Sequence, residues 1–224
     1  MGPLCLRRRE LLSRPGTFVT EVTLNHEFLM SSLYTDSERA LARMAVEMHG
    51  GDRLQVLVGG LGLGYTAWQA GVAEPVQSVD VVEFLPEVID WHARGLLPLS
   101  PQLNDLSGLR IQQGDIYARL AAPAKSRHDL ILIDVDHSPE ERLDHDSVTF
   151  YTRAGLEAAA RHLAPEGVLA VWSYAEHSPF ARALGEAFAE VRIVPISHDN
   201  QLVDEQRTDW LFFARSPTRD PAGP

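Results

Sequence analysis

The residues best suited to chemistry are a glycine-dense turn and four acids that close successive apolar runs. The turn, Gly59-Gly60-Leu61-Gly62-Leu63-Gly64, directly follows Leu54 to Val58. Glycines at such a place let backbone N–H groups and a helix N-terminus approach a ligand without Cβ collisions. Glu83 closes the second run, Asp115 follows the third in Gly114-Asp115-Ile116, and Asp134 with Asp136 follows the fourth. One carboxylate accepting both ribose hydroxyls and another receiving an adenine amino group make a site for an adenosyl nucleoside without phosphates. The loop alone is less selective. Gly62-Leu63-Gly64-Tyr65-Thr66-Ala67 also fits the GxGxxA fingerprint, with Glu83 at a suitable distance for a dinucleotide ribose, so a nicotinamide cofactor stays open. Any one acid reads equally well as a solvated loop residue or a helix cap; four in register favour a shared pocket.

Beyond the nucleoside, Asp134, Asp136 and His137 are the catalytic candidates. Carboxylates can hold or deprotonate an amine, and a histidine can act as a base near neutral pH. His137 also reads as an exposed loop histidine, and Glu140, Glu141, Asp144 and Asp146 as either an attractive field for a cation or a solvated face. Nine histidines show no HxxxH or HExxH spacing and Cys5 stands alone, so no metal is expected.

The elements that would position these residues follow from periodicity. Residues 17–31 alternate at Phe18, Thr20, Val22 and Leu24 around an Asn25-His26 turn, which predicts a β-hairpin. Thr35-Asp36-Ser37-Glu38 fits a capping box before Leu41, Met44, Ala45 and Met48, and Gly50-Gly51 ends that helix. Strands are then expected at Leu54–Val58, Val79–Val82, Leu109–Gln112, Leu130–Ile133 and Val168–Trp172. Helices are expected at Thr66–Val72, from Pro86, and over Phe150–Leu163. The alternation argues a doubly wound, mostly parallel α/β sheet, closed by an antiparallel pair at Val191–Ile196 and Trp210–Ala214. The expected organisation is a flexible N-terminus (1–16), a hairpin-and-helix appendage (17–50), the α/β domain (51–215) and a disordered Pro- and Gly-rich tail (216–224).

Composition narrows the class. No apolar run approaches the roughly 20 residues of a membrane helix, the N-terminus lacks a secretory h-region, and a single cysteine forms no internal disulfide, so a cytoplasmic protein is expected. A formal charge of −11 disfavours nucleic acid and points to a cationic or neutral small molecule, though the charge also serves solubility. Apolar hairpin residues would support a homodimer.

The run from about Leu24 to Ala214 resembles the class I methyltransferase superfamily, and within it the spermidine synthase-like proteins. The resemblance rests on Leu57-Val58-Gly59-Gly60-Leu61-Gly62-Leu63-Gly64-Tyr65, Val82-Glu83, Gly114-Asp115, Asp129-Leu130-Ile131-Leu132-Ile133-Asp134, Phe150-Tyr151 and Leu163-Ala164-Pro165-Glu166-Gly167-Val168-Leu169. It implies a seven-stranded Rossmann-like methyltransferase fold with S-adenosylmethionine, or its decarboxylated form, as cofactor. It further implies Glu83 on the ribose, Asp115 and the adjoining Ile116 at the adenine, and Asp134 at the reacting centre. His26, Ser31, Ser32 and Tyr34 would border the acceptor pocket; on their own they read as a turn residue, local hydroxyl motifs and a core aromatic. Aminopropyltransferases carry an acid inside the loop, GGGDGG, where this chain has Gly62. Asp134-Val135-Asp136-His137-Ser138-Pro139 matches their DSxDP loop only in part, and the hairpin is shorter than their N-terminal β-domain. Methyl transfer to a small acceptor is therefore the first expectation, aminopropyl transfer to a polyamine the second, and a non-catalytic cofactor-binding protein the third.

Overall fold

The computed structural model describes residues 2–135, 149–176, 178–200 and 205–218. The chain runs β1 (Leu4–Glu10), β2 (Phe18–Leu24), β3 (Glu27–Ser31), α1 (Asp36–His49), β4 (Leu54–Gly59), α2 (Tyr65–Gly71), β5 (Val76–Glu83), α3 (Pro86–Ala93), α4 (Ser100–Asn104) and β6 (Leu109–Gln113). It continues α5 (Ile116–Ala121), β7 (His128–Ile133), α6 (Arg153–Ala160), β8 (Leu163–Ser173), α7 (Ser178–Ala187), β9 (Phe188–Asn200) and β10 (Glu205–Pro217). The main sheet has seven strands in the order β6-β5-β4-β7-β8-β10-β9, parallel from β6 to β8, with β10 antiparallel to both its neighbours. The expected doubly wound sheet and its terminal antiparallel pair are both present.

The strands alternate between two apolar layers. Leu54, Val56 and Val58 of β4, with Leu130 and Leu132 of β7, pack against α1 and α2; Leu57, Ile131 and Ile133 pack on the opposite face with α5, α6 and α7. Each such side chain, taken fully from water, contributes about 1.5–3 kcal/mol, and strands covered on both faces need apolar residues at every position. The order in which strands are added reverses at β4, which pairs in parallel with β5 on one side and β7 on the other. A crevice therefore opens beyond the carboxyl ends of β4 and β7, where such sheets bind ligands.

Several expectations change. Residues 1–16 read as flexible, yet β1 pairs with β2 from Leu4↔Leu24 to Glu10↔Phe18, so the N-terminal unit is a three-stranded antiparallel sheet. The run Arg7-Arg8-Arg9 hid that strand. Arg7 and Arg9 reach Glu21 of β2 at 2.6 and 2.7 Å, while Leu4 and Leu6 pack around buried Val22 and Leu63. The Asn25-His26 turn is present, both residues at positive φ (52° and 68°), as a type I′ hairpin requires. The capping box is absent: Thr35 makes no side-chain cap bond, and its hydroxyl instead accepts from Arg39 Nε at 3.4 Å. The helix expected to Leu163 ends at Ala160, and β9 and β10 run past their expected ends as a long hairpin. Residues 216–218, read as part of a disordered tail, continue this pairing, with Thr218 N–H donating to the Ala187 carbonyl at 2.9 Å. No helix among the described residues is long and apolar enough to cross a membrane.

Candidate functional site

The glycine loop leaves β4 through Gly60, whose φ of +89° suits glycine and where a Cβ would overlap the backbone carbonyl oxygen of Asp134. The two strand ends are joined by backbone as well, Asp134 N–H donating to the Gly59 carbonyl and Gly60 N–H to that of Val82, each at 2.9 Å. Gly62 differs. Its φ is +50°, and an added Cβ would meet only Met30 Sδ, at 3.4 Å. The Gly62 carbonyl accepts from His92 Nε2 at 3.0 Å, while His92 Nδ1 lies 3.4 Å from Ser100 Oγ. A carbonyl cannot donate, so Nε2 carries the proton. Burial lowers the His92 pKa, which keeps this loop support a neutral imidazole.

Glu83, 6% exposed, holds the loop from the side. Its Oε2 accepts from Leu61 N–H at 2.7 Å and Gly62 N–H at 3.4 Å, and its Oε1 from Leu85 N–H at 2.7 Å. Burial raises its pKa, and these backbone bonds oppose the rise. A carboxylate offers about four lone-pair positions, and the long bond from Gly62 is the one a vicinal diol could replace. Asp115 caps α5, its Oδ1 accepting from Tyr117 N–H at 2.7 Å and Ala118 N–H at 3.2 Å. It is therefore both the helix cap and a wall of the crevice, two readings the sequence had set against each other.

These groups line one continuous cavity of about 990 Å³, at the upper end of the range for small-molecule sites. Gly60, Gly62, Gly64, Glu83, Asp115 and Ile116 form one side. Gly59 does not line it: the residue lies within β4, where a Cβ would collide with Ile116 Cγ1 at 2.6 Å. Tyr34, Ser37, Glu38, Trp172, His198 and Asp209 form the other side, and Asp134 faces both. Of the expected acceptor residues Ser31 and Tyr34 line the cavity, Tyr34 stacked on His198 with centroids 4.6 Å apart. His26 is exposed at its hairpin turn, and Ser32 Oγ accepts from Thr20 N–H at 2.9 Å, so that neither lines the cavity. Asp136 and His137 lie outside the described residues.

The sequence reading missed the partners of Asp134. Thr66 Oγ1 donates to Asp134 Oδ2 at 2.6 Å. Ser37 Oγ donates to Asp209 Oδ2 at 2.6 Å and accepts from Trp172 Nε1 at 3.0 Å. Glu38 Oε2 lies 3.1 Å from the same Ser37 oxygen. A hydroxyl has one proton, so once Ser37 donates to Asp209 the Glu38 carboxyl must bring its own. Electrostatics agrees: burial and then the Asp134 charge push the Glu38 pKa to about 8. Asp134 rises to about 6, through burial and then the Asp209 charge, against the Thr66 bond. Asp209 is raised by burial, with Ser37, His198 and Arg207 opposing. Among the described residues, no cluster of His, Cys, Asp or Glu has metal-holding geometry.

No protein-family model matches the chain, nor does any curated protein sequence. Solved structures do. A spermidine synthase in complex with the transition-state analogue AdoDATO aligns with a TM-score of 0.71 at 18% identity, over 91% of this chain and 68% of that one. Spermidine synthase from Thermotoga maritima aligns at 0.70 and 16%, over 91% and 67%. Human methyltransferase-like protein 13 in complex with SAH aligns at 0.55 and 20%, over 83% and 82%. The structural neighbours are thus spermidine synthases and class I S-adenosylmethionine-dependent methyltransferases, and the chain has their Rossmann-like fold.

Proposed function

We propose that this chain is an S-adenosylmethionine-dependent methyltransferase acting on a small acceptor. The observation that favours methyl over aminopropyl transfer is Gly62, which gives the loop no carboxylate for the amine of a decarboxylated cofactor; the neighbouring group is the Met30 thioether. Glu83 would hold the ribose hydroxyls, Asp115 the adenine amino group through the oxygen that does not cap α5, and the glycine loop the remainder of the nucleoside. Bound there, the cofactor supplies an electrophilic methyl carbon on a sulfonium. The protein's own part is alignment, water exclusion and proton handling. Asp134, close to both sides of the cavity, would take the proton that an amine acceptor must lose, and Thr66 fixes its carboxylate at 2.6 Å.

Aminopropyl transfer to a polyamine is the second reading, favoured by the carboxylates on the acceptor side. Calorimetry with S-adenosylmethionine, its decarboxylated form and S-adenosylhomocysteine tests the two. Methyl transfer requires that S-adenosylmethionine and S-adenosylhomocysteine bind, that Glu83→Ala weakens both, and that turnover releases S-adenosylhomocysteine. Preference for the decarboxylated ligand, with methylthioadenosine as product, would establish the second reading instead. Absence of binding by all three would sink both.

A further inference from the structure

The acceptor side of the cavity has acidic groups at its inner end and basic groups at its outer end. Inside are Glu38, Asp134 and Asp209; towards the opening are His198, half-buried, and Arg207, exposed. The β9–β10 hairpin sets this arrangement. Alternation puts Arg207 and Asp209 on the same face of β10, and the register puts His198 directly across from Arg207. Arg9, another guanidinium on the cavity wall, is committed to Glu21 through Nε and Nη2 at 3.0 and 2.7 Å. Among the residues whose side chains are described, no ion pair closes on Arg207.

We propose, building on the methyltransferase reading, that the acceptor is a zwitterionic amine: an ammonium or amine against Glu38, Asp134 and Asp209, and a carboxylate or similar anion against Arg207 and His198. A linear diamine fits poorly, because its second cation would face Arg207, and like charges brought together disfavour a partner. A simple monoamine would leave Arg207 without an anion. Two residues along a strand span roughly 6.6 Å, so a few methylene groups separate the two charges. ω-Amino acids are the matching class. Arg207 and Asp209 are then the specificity residues, one for each end.

The test is calorimetry on the full chain, saturated with S-adenosylhomocysteine and also unloaded. The probes are 3-aminopropanoate, 4-aminobutanoate and 6-aminohexanoate against 1,4-diaminobutane and butylamine. At least one amino acid is expected to bind about tenfold more tightly than the diamine, the scale of one well-placed charge contact. Arg207→Gln should remove that preference while leaving butylamine binding unchanged, and Asp209→Asn should weaken amino acid and diamine alike. Equal or tighter binding of the diamine, no binding by any probe, or a preference that survives Arg207→Gln overturns the proposal. The underlying reading fails separately, if S-adenosylhomocysteine itself does not bind; the unloaded protein still reports the acceptor preference.

Discussion

Replacing Glu38 with glutamine should stabilise the ligand-free protein at alkaline pH. The side chain sits in the cavity wall beside Asp134, and its pKa rises from 4.5 to about 8, chiefly by burial and then by the Asp134 charge. At about 1.36 kcal/mol per pH unit, that rise corresponds to an upper limit of about 5 kcal/mol. Water reaching the cavity and sharing of the effect with Asp134 reduce it to roughly half, about 2–3 kcal/mol. Below pH 4.5 Glu38 is neutral in the folded and unfolded chains, and its protonated form is accommodated at no ionisation cost. Between 4.5 and about 8 the unfolded chain releases this proton while the folded chain keeps it, so stability falls with rising pH; above 8 the loss is complete. Glutamine has nothing to release, and its amide N–H can donate to Ser37 Oγ as the protonated carboxyl does. Thermal unfolding from pH 4 to 9 should therefore show the two proteins diverging through that window. At about 2–4 °C per kcal/mol for a chain of this size, the variant should melt roughly 4–12 °C higher at pH 9. Parallel curves, or a variant that melts lower at pH 9, would refute the protonated Glu38 and the hydrogen-bond order around Ser37.

Two further outcomes are expected. Asp115→Ala should cost about 1 kcal/mol through loss of the α5 cap and also weaken S-adenosylhomocysteine binding. Asp115→Ser should restore the melting temperature and not the affinity, and recovery of both would remove Asp115 from the ligand site. With an amine acceptor, kcat/KM should rise about tenfold per pH unit up to about 6, as Asp134 ionises, and then level off because the bound ammonium delivers its proton to that carboxylate. A profile that keeps rising through pH 8 and is unchanged in Asp134→Asn would mean that the amine enters already deprotonated.

The central sheet was legible because its signals are local. Continuous apolar runs such as Leu130–Ile133 suit strands covered on both faces, and the glycines between β4 and α2 mark a turn whose backbone needs glycine at Gly60 and Gly64, both at strongly positive φ with no room for a Cβ. The three-stranded N-terminal sheet was obscured because three consecutive arginines conceal an alternating pattern: Arg7 and Arg9 are answered by Glu21, more than ten residues away, and Arg8 lies over the Phe18 ring. Helices α4, α5 and α7 were missed, the first two being only five and six residues long. Periodicity needs about two turns to declare itself.

The acceptor side was illegible for a different reason, and Ser37-Glu38 shows it. In sequence the pair completes Thr35-Asp36-Ser37-Glu38, a strong local cap signature, and that reading assigns Glu38 to the backbone. In the fold Ser37 bonds Asp209, 172 residues away, and Glu38 turns to the same oxygen. The cap at Thr35 is forgone, a local cost of about 1 kcal/mol. The carboxyl is instead held in a wall where burial and Asp134 oppose its ionisation. A protein that leaves a helix end uncapped to place an acid beside two others retains strain that an ammonium in the cavity would relieve, since all three pKa values would then fall. This gives acceptor binding a proton signature. Below pH 8 an amine entering as the ammonium should release protons from Glu38, whereas a neutral acceptor should release none. Calorimetry repeated in buffers of different ionisation enthalpy reads this directly, and buffer-independent heats would return Glu38 to a purely structural role.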